Sequence, residues 1–363
     1  MLTARAEIDL NALQHNFAKM KQCCPKSKII AVVKGNAYGH DAILVAKTLS
    51  GADAFAVARI EEAVALRQAG ITRPIVLLEG CFCAEDLVIA AQYQFQPVIH
   101  HAGQLADILA ATLPQPVRVW LKVDTGMHRL GVFPEQVAHY VAQLSHCANV
   151  SGDVGFVSHF YRADELSAPT THEQLACFIQ ATAPHPGEKS LSNSAGVLYW
   201  SDAHFDWVRP GIALYGISPR GDSSGIAEGL QPVMTLKSTL ISVREHKAGE
   251  SIGYGGNWIA DRDTRIGVIA MGYGDGYPRT APNGTPVLVN GRKVALAGRV
   301  SMDMMTVDLG PESQDQAGDE VILWGKGLPA EEVARHIGTI AYELVIKITN
   351  RVRRQIISAG HNE

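Results

Sequence analysis

The stretch Ile29-Ile30-Ala31-Val32-Val33-Lys34-Gly35-Asn36-Ala37-Tyr38-Gly39-His40 decides the fold of this chain. Its five leading apolar residues are mostly β-branched, which predicts a buried parallel strand. Gly35 and Gly39 then indicate a turn, and helical spacing begins at Asp41. We therefore expect Lys34 at the carboxyl end of a core strand.

A lysine in that position has two interpretations. If the amine is partly desolvated, its pKa falls and it becomes a usable nucleophile or base. If the long stem of Lys34 carries the amine out to water, the residue is an ordinary lysine on the rim of a sheet. The stretch alone leaves both interpretations open.

Apolar runs recur along the chain after this stretch. The runs fall near residues 29–33, 53–58, 75–79, 97–100, 117–123, 152–159, 189–193 and 206–214. Helical spacing lies between most of them, for example at 60–68 and 134–144. Alternating strands and helices predict a parallel sheet, and about eight such units predict a (β/α)₈ barrel. That fold places its chemistry at the carboxyl ends of the strands.

The pattern changes past residue 230. Short strand-like runs appear at 235–243, 265–270, 286–289 and 320–323, separated by glycine-rich turns and Asn-Gly pairs. These features predict a mainly antiparallel β domain, with a last helix at 329–337. The expected division is therefore a barrel domain over residues 1–230 and a C-terminal β domain over residues 231–363.

Overall composition excludes several classes of protein. The chain has 363 residues, 47% of them hydrophobic, and a formal net charge of −4. This gives no reason to expect nucleic acid or a membrane surface as a partner, and no apolar run is long enough to cross a bilayer. The 6 cysteines form no CxxC pair, so neither a metal site nor a disulfide framework is expected. These features predict a cytoplasmic protein.

Polar residues follow the predicted barrel strands where each strand ends. Lys34, Lys122, His159 and Arg209 should all face one rim. The turns after the seventh and eighth strands, at 193–196 and 209–212, contain serine and glycine and could bind phosphate, although ordinary turns have the same composition. A phosphate site that faces a lysine suggests pyridoxal 5′-phosphate, which needs a lysine, a phosphate anchor and a partner for its ring nitrogen.

Several motifs together resemble those of the alanine racemases. In the barrel they are residues 33–40, 122–131, 158–160, 192–195 and 209–212, and in the β domain they are 253–255, 272–277, 300–303 and 342–343. The resemblance spans nearly the whole chain in order and spacing. It implies a pyridoxal phosphate-dependent homodimer with shared active sites that interconverts L-alanine and D-alanine. Such an enzyme supplies D-alanine for bacterial peptidoglycan or serves alanine catabolism.

The resemblance also implies catalytic roles. Inverting a carbon centre requires a proton donor and a proton acceptor on opposite faces. Lys34 is expected to hold the cofactor and to act on the D side, and Tyr254 of the partner subunit is expected to act on the L side. His159 is the expected neighbour of that tyrosine and bridges towards Arg209. Because Arg209 can only donate hydrogen bonds, it would keep the cofactor's ring nitrogen unprotonated and suppress side reactions.

Further residues are implied by the same resemblance. Arg129 would contact the cofactor and the substrate carboxylate, and Lys122 is a candidate for carbamylation that orients Arg129. The alternative for Lys122 is an ordinary ion pair, with Asp303 as one possible partner. The remaining residues of the implied cofactor and substrate set are Tyr38, His159, Asn193, Ser194, Gly211, Ile212, Tyr342, Met302 and Tyr273.

Three rival functions remain. A racemase of broader specificity would need a wider entrance around Tyr273 and Tyr342. A non-catalytic carrier of pyridoxal phosphate would be a single barrel without the β domain. A related amino-acid decarboxylase is expected to have a carboxylate in place of Arg209. Gly35 and Gly274 stand where the family more often has alanine, which could loosen the loops beside the site.

Overall fold

The computed structural model describes residues 3–357, and the chain forms two compact units. Of the described residues, 17–37 and 41–214 form the barrel unit, and 3–16, 38–40 and 215–357 form the sheet unit. The predicted fold class, a (β/α)₈ barrel followed by a mainly antiparallel β domain, is confirmed. The functional division into residues 1–230 and 231–363 stays a prediction.

Nine strands account for the first part of the chain. They are β1 (Arg5–Asp9), β2 (Lys28–Val32), β3 (Ala54–Val57), β4 (Ile75–Leu77), β5 (Phe95–Ile99), β6 (Trp120–Lys122), β7 (Gly155–Val157), β8 (Lys189–Ser190) and β9 (Trp207–Val208). Strands β2 to β9 pair in parallel and close into a barrel in chain order. All eight predicted runs are therefore confirmed as barrel strands. Phe55, Leu121 and Phe156 are among the side chains buried along these strands.

Helices alternate with the barrel strands. They are α1 (Leu10–Cys23), α2 (Ala42–Thr48), α3 (Ile60–Gln68), α4 (Ala84–Tyr93), α5 (Ala102–Ala110), α6 (Val137–Ser145), α7 (Thr170–Thr182) and α8 (Ser194–Tyr199). The helix predicted at 60–68 is confirmed. The one predicted at 134–144 begins as a 3₁₀ turn at Pro134–Gln136 and continues as α6. Shorter 3₁₀ turns lie at Ser201–Ala203 and Ile212–Tyr215.

The sheet unit is built on an eight-stranded sheet. Its later strands are β10 (Met234–His246), β13 (Thr264–Ile269), β14 (Pro286–Val289), β15 (Arg292–Leu296), β16 (Met305–Asp308), β17 (Glu320–Trp324) and β18 (Arg353–Ile357), while β11 (Ser251–Ile252) and β12 (Trp258–Ile259) form a separate hairpin. The helices α9 (Ala330–Ile337) and α10 (Ala341–Ile346) follow β17, and 3₁₀ turns lie at Tyr254–Gly256 and Tyr273–Asp275. The predicted helix at 329–337 is confirmed as α9.

Strand β1 joins this sheet, although it comes first in the chain. It pairs antiparallel with β10 and parallel with β18, so residues more than 200 positions apart share one ladder. The sequence does not predict this strand, because its partners are distant and its five residues carry no turn signal. Within residues 3–357, no helix is both long and apolar enough to cross a membrane.

Candidate active site

Four basic side chains lie where barrel strands end. Lys34 is the second residue after β2, Lys122 is the last residue of β6, His159 is the second residue after β7, and Arg209 directly follows β9. Parallel strands in a closed barrel end at the same rim. The barrel unit therefore brings these four predicted residues to one edge.

The turn after Lys34 has an unusual backbone. Gly35, Asn36, Ala37 and Tyr38 have φ angles of 62°, 54°, 54° and 52°, which form a left-handed helical turn. A non-glycine residue in this conformation costs about 1–2 kcal/mol. Glycine at position 35 avoids that cost, so it does not loosen the loop in the way that the sequence suggests. Consecutive strained residues persist only where surrounding contacts hold them, and such strain is common at functional sites.

Charges around Lys34 oppose one another. Burial is the main cause that lowers the pKa of the Lys34 amine, and the Arg129 guanidinium lowers it further. The carboxylates of Glu79 and Glu62 act in the opposite direction, and Arg209 again lowers the pKa. The net pKa of Lys34 lies below its ordinary value, which favours the nucleophilic interpretation of this residue over the solvated one.

Lys122 is more deeply buried, with 9% of its surface exposed. Burial first, and then the charges of Arg209 and Arg129, lower the pKa of Lys122 to about 7. Within the barrel unit no carboxylate forms an ion pair with the Lys122 amine, and in the sheet unit Asp303 pairs with Arg351 at 2.8 Å. Carbamylation of Lys122 and the alternative of an ion pair with Asp303 both stay predictions.

Arg209 is fixed from several directions. Its guanidinium donates hydrogen bonds to the Ser190 hydroxyl at 2.6 Å and to the carbonyl oxygens of Ser158 and Leu191. Burial lowers the pKa of Arg209 to about 10, so the group remains charged at neutral pH. The pKa of His159 falls well below its ordinary value because of burial and the nearby cations, Lys122 first among them. His159 is therefore a neutral imidazole.

A buried polar network lies beneath His159. The Thr125 hydroxyl is 2.9 Å from the Ser158 hydroxyl, and the Gln174 amide donates to both the Thr125 hydroxyl and the His159 carbonyl oxygen. These bonds hold the segment that carries His159. Neither Thr125 nor Gln174 is among the site residues that the sequence predicts. Thr125 lies within a quoted motif, whereas Gln174 lies on α7 with no local signal.

The two turns that could bind phosphate are tied together. The Ser194 hydroxyl accepts hydrogen bonds from the backbone amides of Gly211 at 2.9 Å and Ala213 at 3.2 Å. The Asn193 side chain caps α8 by accepting from the Gly196 amide at 3.0 Å. Because both amides donate to its oxygen, the buried Ser194 hydroxyl can direct its own proton elsewhere, and a donor of this kind can bind an anion.

Two further predicted residues lie in the barrel unit, the exposed Arg129 and the buried Ile212, and the other five lie in the sheet unit. The Tyr38 ring is 4.9 Å from the Tyr215 ring and 6.1 Å from the Tyr342 ring, measured between centroids. Burial raises the pKa of Tyr38, so its hydroxyl stays protonated. In contrast, Tyr254, Tyr273 and Met302 are 69%, 38% and 53% exposed. The Met302 carbonyl accepts from the Gly274 amide, which joins the segments that carry Tyr273 and Met302.

Two models of known domain families match the chain. The alanine racemase N-terminal domain matches residues 8–219, and the alanine racemase C-terminal domain matches residues 233–356. The chain belongs to the alanine racemase family. The family resemblance drawn from the sequence motifs is therefore confirmed.

Individual alanine racemases agree with this assignment over nearly the whole length. The alanine racemase of Aeromonas hydrophila is 58% identical and covers 97% of this chain and 99% of its own length. The crystal structure of the biosynthetic alanine racemase from Pseudomonas aeruginosa has 49% identity and a TM-score of 0.96, covering 98% of this chain and 100% of its own. The alanine racemase of Bartonella henselae, solved with covalently bound pyridoxal phosphate, has 31% identity and a TM-score of 0.88 over 98% of this chain and 100% of its own. The chain is an alanine racemase-family isomerase.

Proposed function

We propose that the chain inverts alanine with two bases, Lys34 on one face of the substrate and Tyr254 of the partner subunit on the other. One observation carries this proposal. Lys34 follows a core barrel strand, and burial together with two arginines lowers the pKa of its amine. This arrangement gives an amine that loses its proton more readily than a free lysine does, as a group that both accepts and returns a proton requires.

The residues at the rim fit pyridoxal 5′-phosphate. They would provide an amine for covalent attachment, the buried Ser194 hydroxyl supported by the Gly211 turn for the phosphate, and the Arg209 guanidinium for the ring nitrogen. Asn193, Ile212, Tyr38 and Tyr342 complete the proposed cofactor set. When bound, the cofactor would withdraw electrons from the substrate and make its Cα–H bond acidic.

Arg209 would favour racemisation over side reactions. Its guanidinium keeps its charge and can only donate, so beside the ring nitrogen of the bound cofactor it would disfavour protonation there and weaken electron withdrawal by the ring. A decarboxylase would need a carboxylate here. Arg129 is proposed to hold the substrate carboxylate, with Lys122 orienting it after carbamylation. Neutral His159 is proposed to position Tyr254 of the partner subunit.

Exposure in the sheet unit supports a shared site. Tyr254 and Met302 are 69% and 53% exposed, whereas a proton-transfer group works best where water is excluded. A head-to-tail dimer would cover these residues with the barrel of the neighbouring subunit. The expected role is a supply of D-alanine for bacterial peptidoglycan, or alanine catabolism. Six free cysteines favour a reducing compartment such as the cytoplasm.

Co-expression of two inactive variants tests the shared site. Lys34→Ala and Tyr254→Phe each damage one base, but a mixed dimer would contain one site with both wild-type bases. Random pairing makes half of the dimers mixed, so about one quarter of wild-type activity should return. No recovery in a confirmed mixed dimer would contradict the shared site. The two parent variants, each assayed alone, provide the background.

Substrate choice requires a second assay. The holoenzyme is incubated with single L-amino acids, and both enantiomer ratio and released carbon dioxide are measured. Alanine should racemise fastest and no carbon dioxide should appear. Comparable rates with longer side chains would indicate the broader racemase, and carbon dioxide would indicate the decarboxylase.

A further inference from the structure

One acidic side chain contacts the strained turn beside Lys34. The Glu62 carboxylate accepts hydrogen bonds from the Gly35 amide at 2.6 Å and the Asn36 amide at 3.4 Å. Its other oxygen accepts from the amides of Ala58 and Arg59 at 3.1 and 3.2 Å. Glu62 therefore connects the turn after β2 to the loop between β3 and α3, all within the barrel unit.

These contacts hold a backbone that would otherwise relax. The left-handed turn begins at Gly35, immediately after Lys34, and its first two amides both point to Glu62. At the far end of the turn, the Asn36 side chain accepts from the Ala42 amide, and Asp41 caps α2. Gly35 directly follows Lys34, so the hydrogen bond from its amide to Glu62 helps to fix where the lysine side chain begins.

The charge of Glu62 is also available to Lys34. Glu79 is paired with Arg59 at 2.6 Å, whereas Glu62 forms no ion pair within residues 3–357. The charged groups that act on Lys34 are the cations Arg129 and Arg209 and the anions Glu79 and Glu62. The amine in turn acts on Lys122 and His159. Without Glu62, the charges of Arg129 and Arg209 near Lys34 would be opposed only by Glu79, which already pairs with Arg59.

We propose that Glu62 is a positioning residue for Lys34, which fixes the turn that presents the lysine and supplies the nearby negative charge that balances Arg129 and Arg209. This inference rests on the proposed role of Lys34 as a base. In this role, α3 contributes to catalysis because its residue Glu62 fixes the backbone next to Lys34. Glu62 itself is not proposed to contact the substrate.

The test compares Glu62→Gln, Glu62→Asp and Glu61→Gln as holoenzymes. Glu61 is the exposed neighbour on the same helix and serves as the matched control. Glu62→Gln keeps the size but removes the charge, and Glu62→Asp keeps the charge but shortens the reach. We expect kcat to fall about 10- to 100-fold in Glu62→Gln, because the reacting amine is misplaced.

The pH profile separates positioning from simple stability. With the charge removed, the pKa of Lys34 falls further. In plots of kcat against pH, the limb that reports Lys34 as a base in the D-to-L direction and the limb that reports it as an acid in the L-to-D direction should therefore both move to lower pH, by about half a unit. Glu62→Asp should lower kcat but keep both limbs at wild-type pH. Hydroxylamine should strip the cofactor from Glu62→Gln faster than from Glu61→Gln, which is a measurement independent of turnover.

Two results would overturn the inference. In the first, Glu62→Gln loses thermal stability but keeps wild-type limbs and wild-type cofactor release. In the second, Glu62→Asp shifts the limbs as much as Glu62→Gln does. Lys34→Ala in parallel distinguishes the two levels of the proposal. If Lys34→Ala retains activity, the role of Lys34 itself fails, whereas an inactive Lys34→Ala with unchanged limbs in Glu62→Gln rejects only the role of Glu62.

Discussion

Lys34 and Tyr254, the two proposed bases, lie in contrasting surroundings. Lys34 follows a core strand, and its pKa is lowered by burial and by two arginines. Tyr254 lies in a 3₁₀ turn of the sheet unit and is 69% exposed. The barrel unit itself supplies the surroundings that lower the pKa of the Lys34 amine. The sheet unit presents an exposed phenol, which we propose is covered by the barrel of the partner subunit.

Removal of Lys34 should have the largest effect, because the barrel side of the comparison depends on its amine. In Lys34→Ala, racemisation should fall by about 10⁴-fold or more, and the absorbance of the bound cofactor should disappear. Lys28→Ala is the matched control, since Lys28 begins the same strand at its opposite end. A Lys34→Ala protein that keeps the chromophore in covalent attachment would show that another amine holds the cofactor.

Tyr254→Phe should abolish proton transfer on the face of the substrate that Tyr254 serves. Proton transfer to and from Lys34 on the other face should remain. Racemisation should fall about 10²- to 10³-fold while the cofactor absorbance remains. The equilibrium constant between enantiomers is one, so kcat/KM must stay equal in both directions and cannot identify the lost base. Exchange in D₂O can identify it. D-alanine should still exchange its Cα proton through Lys34 and return as D-alanine, whereas L-alanine should not exchange.

The control for this experiment is Tyr93→Phe, on α4 of the barrel unit. It should exchange and racemise both enantiomers at wild-type rates. If Tyr254→Phe exchanged the Cα proton of L-alanine faster than that of D-alanine, the two bases would have to change sides.

A smaller effect on activity is expected from Lys122, which tests whether burial lowers the pKa of an amine at the barrel rim. With a pKa of about 7, its amine is mostly protonated at pH 6 and mostly neutral at pH 8. Only the neutral amine reacts with carbon dioxide, so a carbamate should form more fully at pH 8. Labelled ¹³CO₂ should give a carbamate signal in the NMR spectrum of the enzyme, and Lys122→Gln should lack it. Activity after removal of carbon dioxide should fall about tenfold, because Arg129 loses its orientation.

The barrel illustrates what local sequence can predict. Most of its strands lie within short apolar runs, and Lys34, Lys122, His159 and Arg209 stand at or within two residues of the ends of four of them, so both the fold and these positions follow from the pattern. Strand β1 does not, because its partners β10 and β18 are distant in the chain and its pairing depends on tertiary contacts. The exposed turn that carries Tyr254 has no periodicity either, and its role was expected only through the family resemblance.

Supporting contacts are the other part of the site that sequence did not reveal. Glu62 looks like any acidic residue in the first turn of a helix, and Gln174 looks like an ordinary polar residue on α7. Their significance lies in hydrogen bonds to the backbone of other segments, which the fold alone determines. Residues of this kind can be found only when the segments they join are seen together.

Glu188 gives the smallest expected effect and tests whether a charge cluster at the other end of the barrel matters to catalysis. It directly precedes β8, and its carboxylate accepts from Lys28 at 2.8 Å, from Trp207 at 2.8 Å and from Arg118. Burial would raise the pKa of Glu188, but these three hydrogen bonds outweigh it and lower the pKa to about 2.

Because the folded-state pKa is depressed, this stabilisation is present above the ordinary glutamate value and is lost as pH falls towards 2. Glu188→Gln should therefore lower the free energy of unfolding by about 1 kcal/mol at pH 7, a loss that shrinks below pH 4. The melting temperature should fall by about 2 °C, and kcat should not change. Circular dichroism melts at pH 7 and pH 3, beside a racemisation assay, measure both quantities. A large loss of kcat with an unchanged melting temperature would mean that the amino-terminal end of the barrel affects catalysis at the opposite rim. The residues at that rim would then not be sufficient to set the pKa of Lys34.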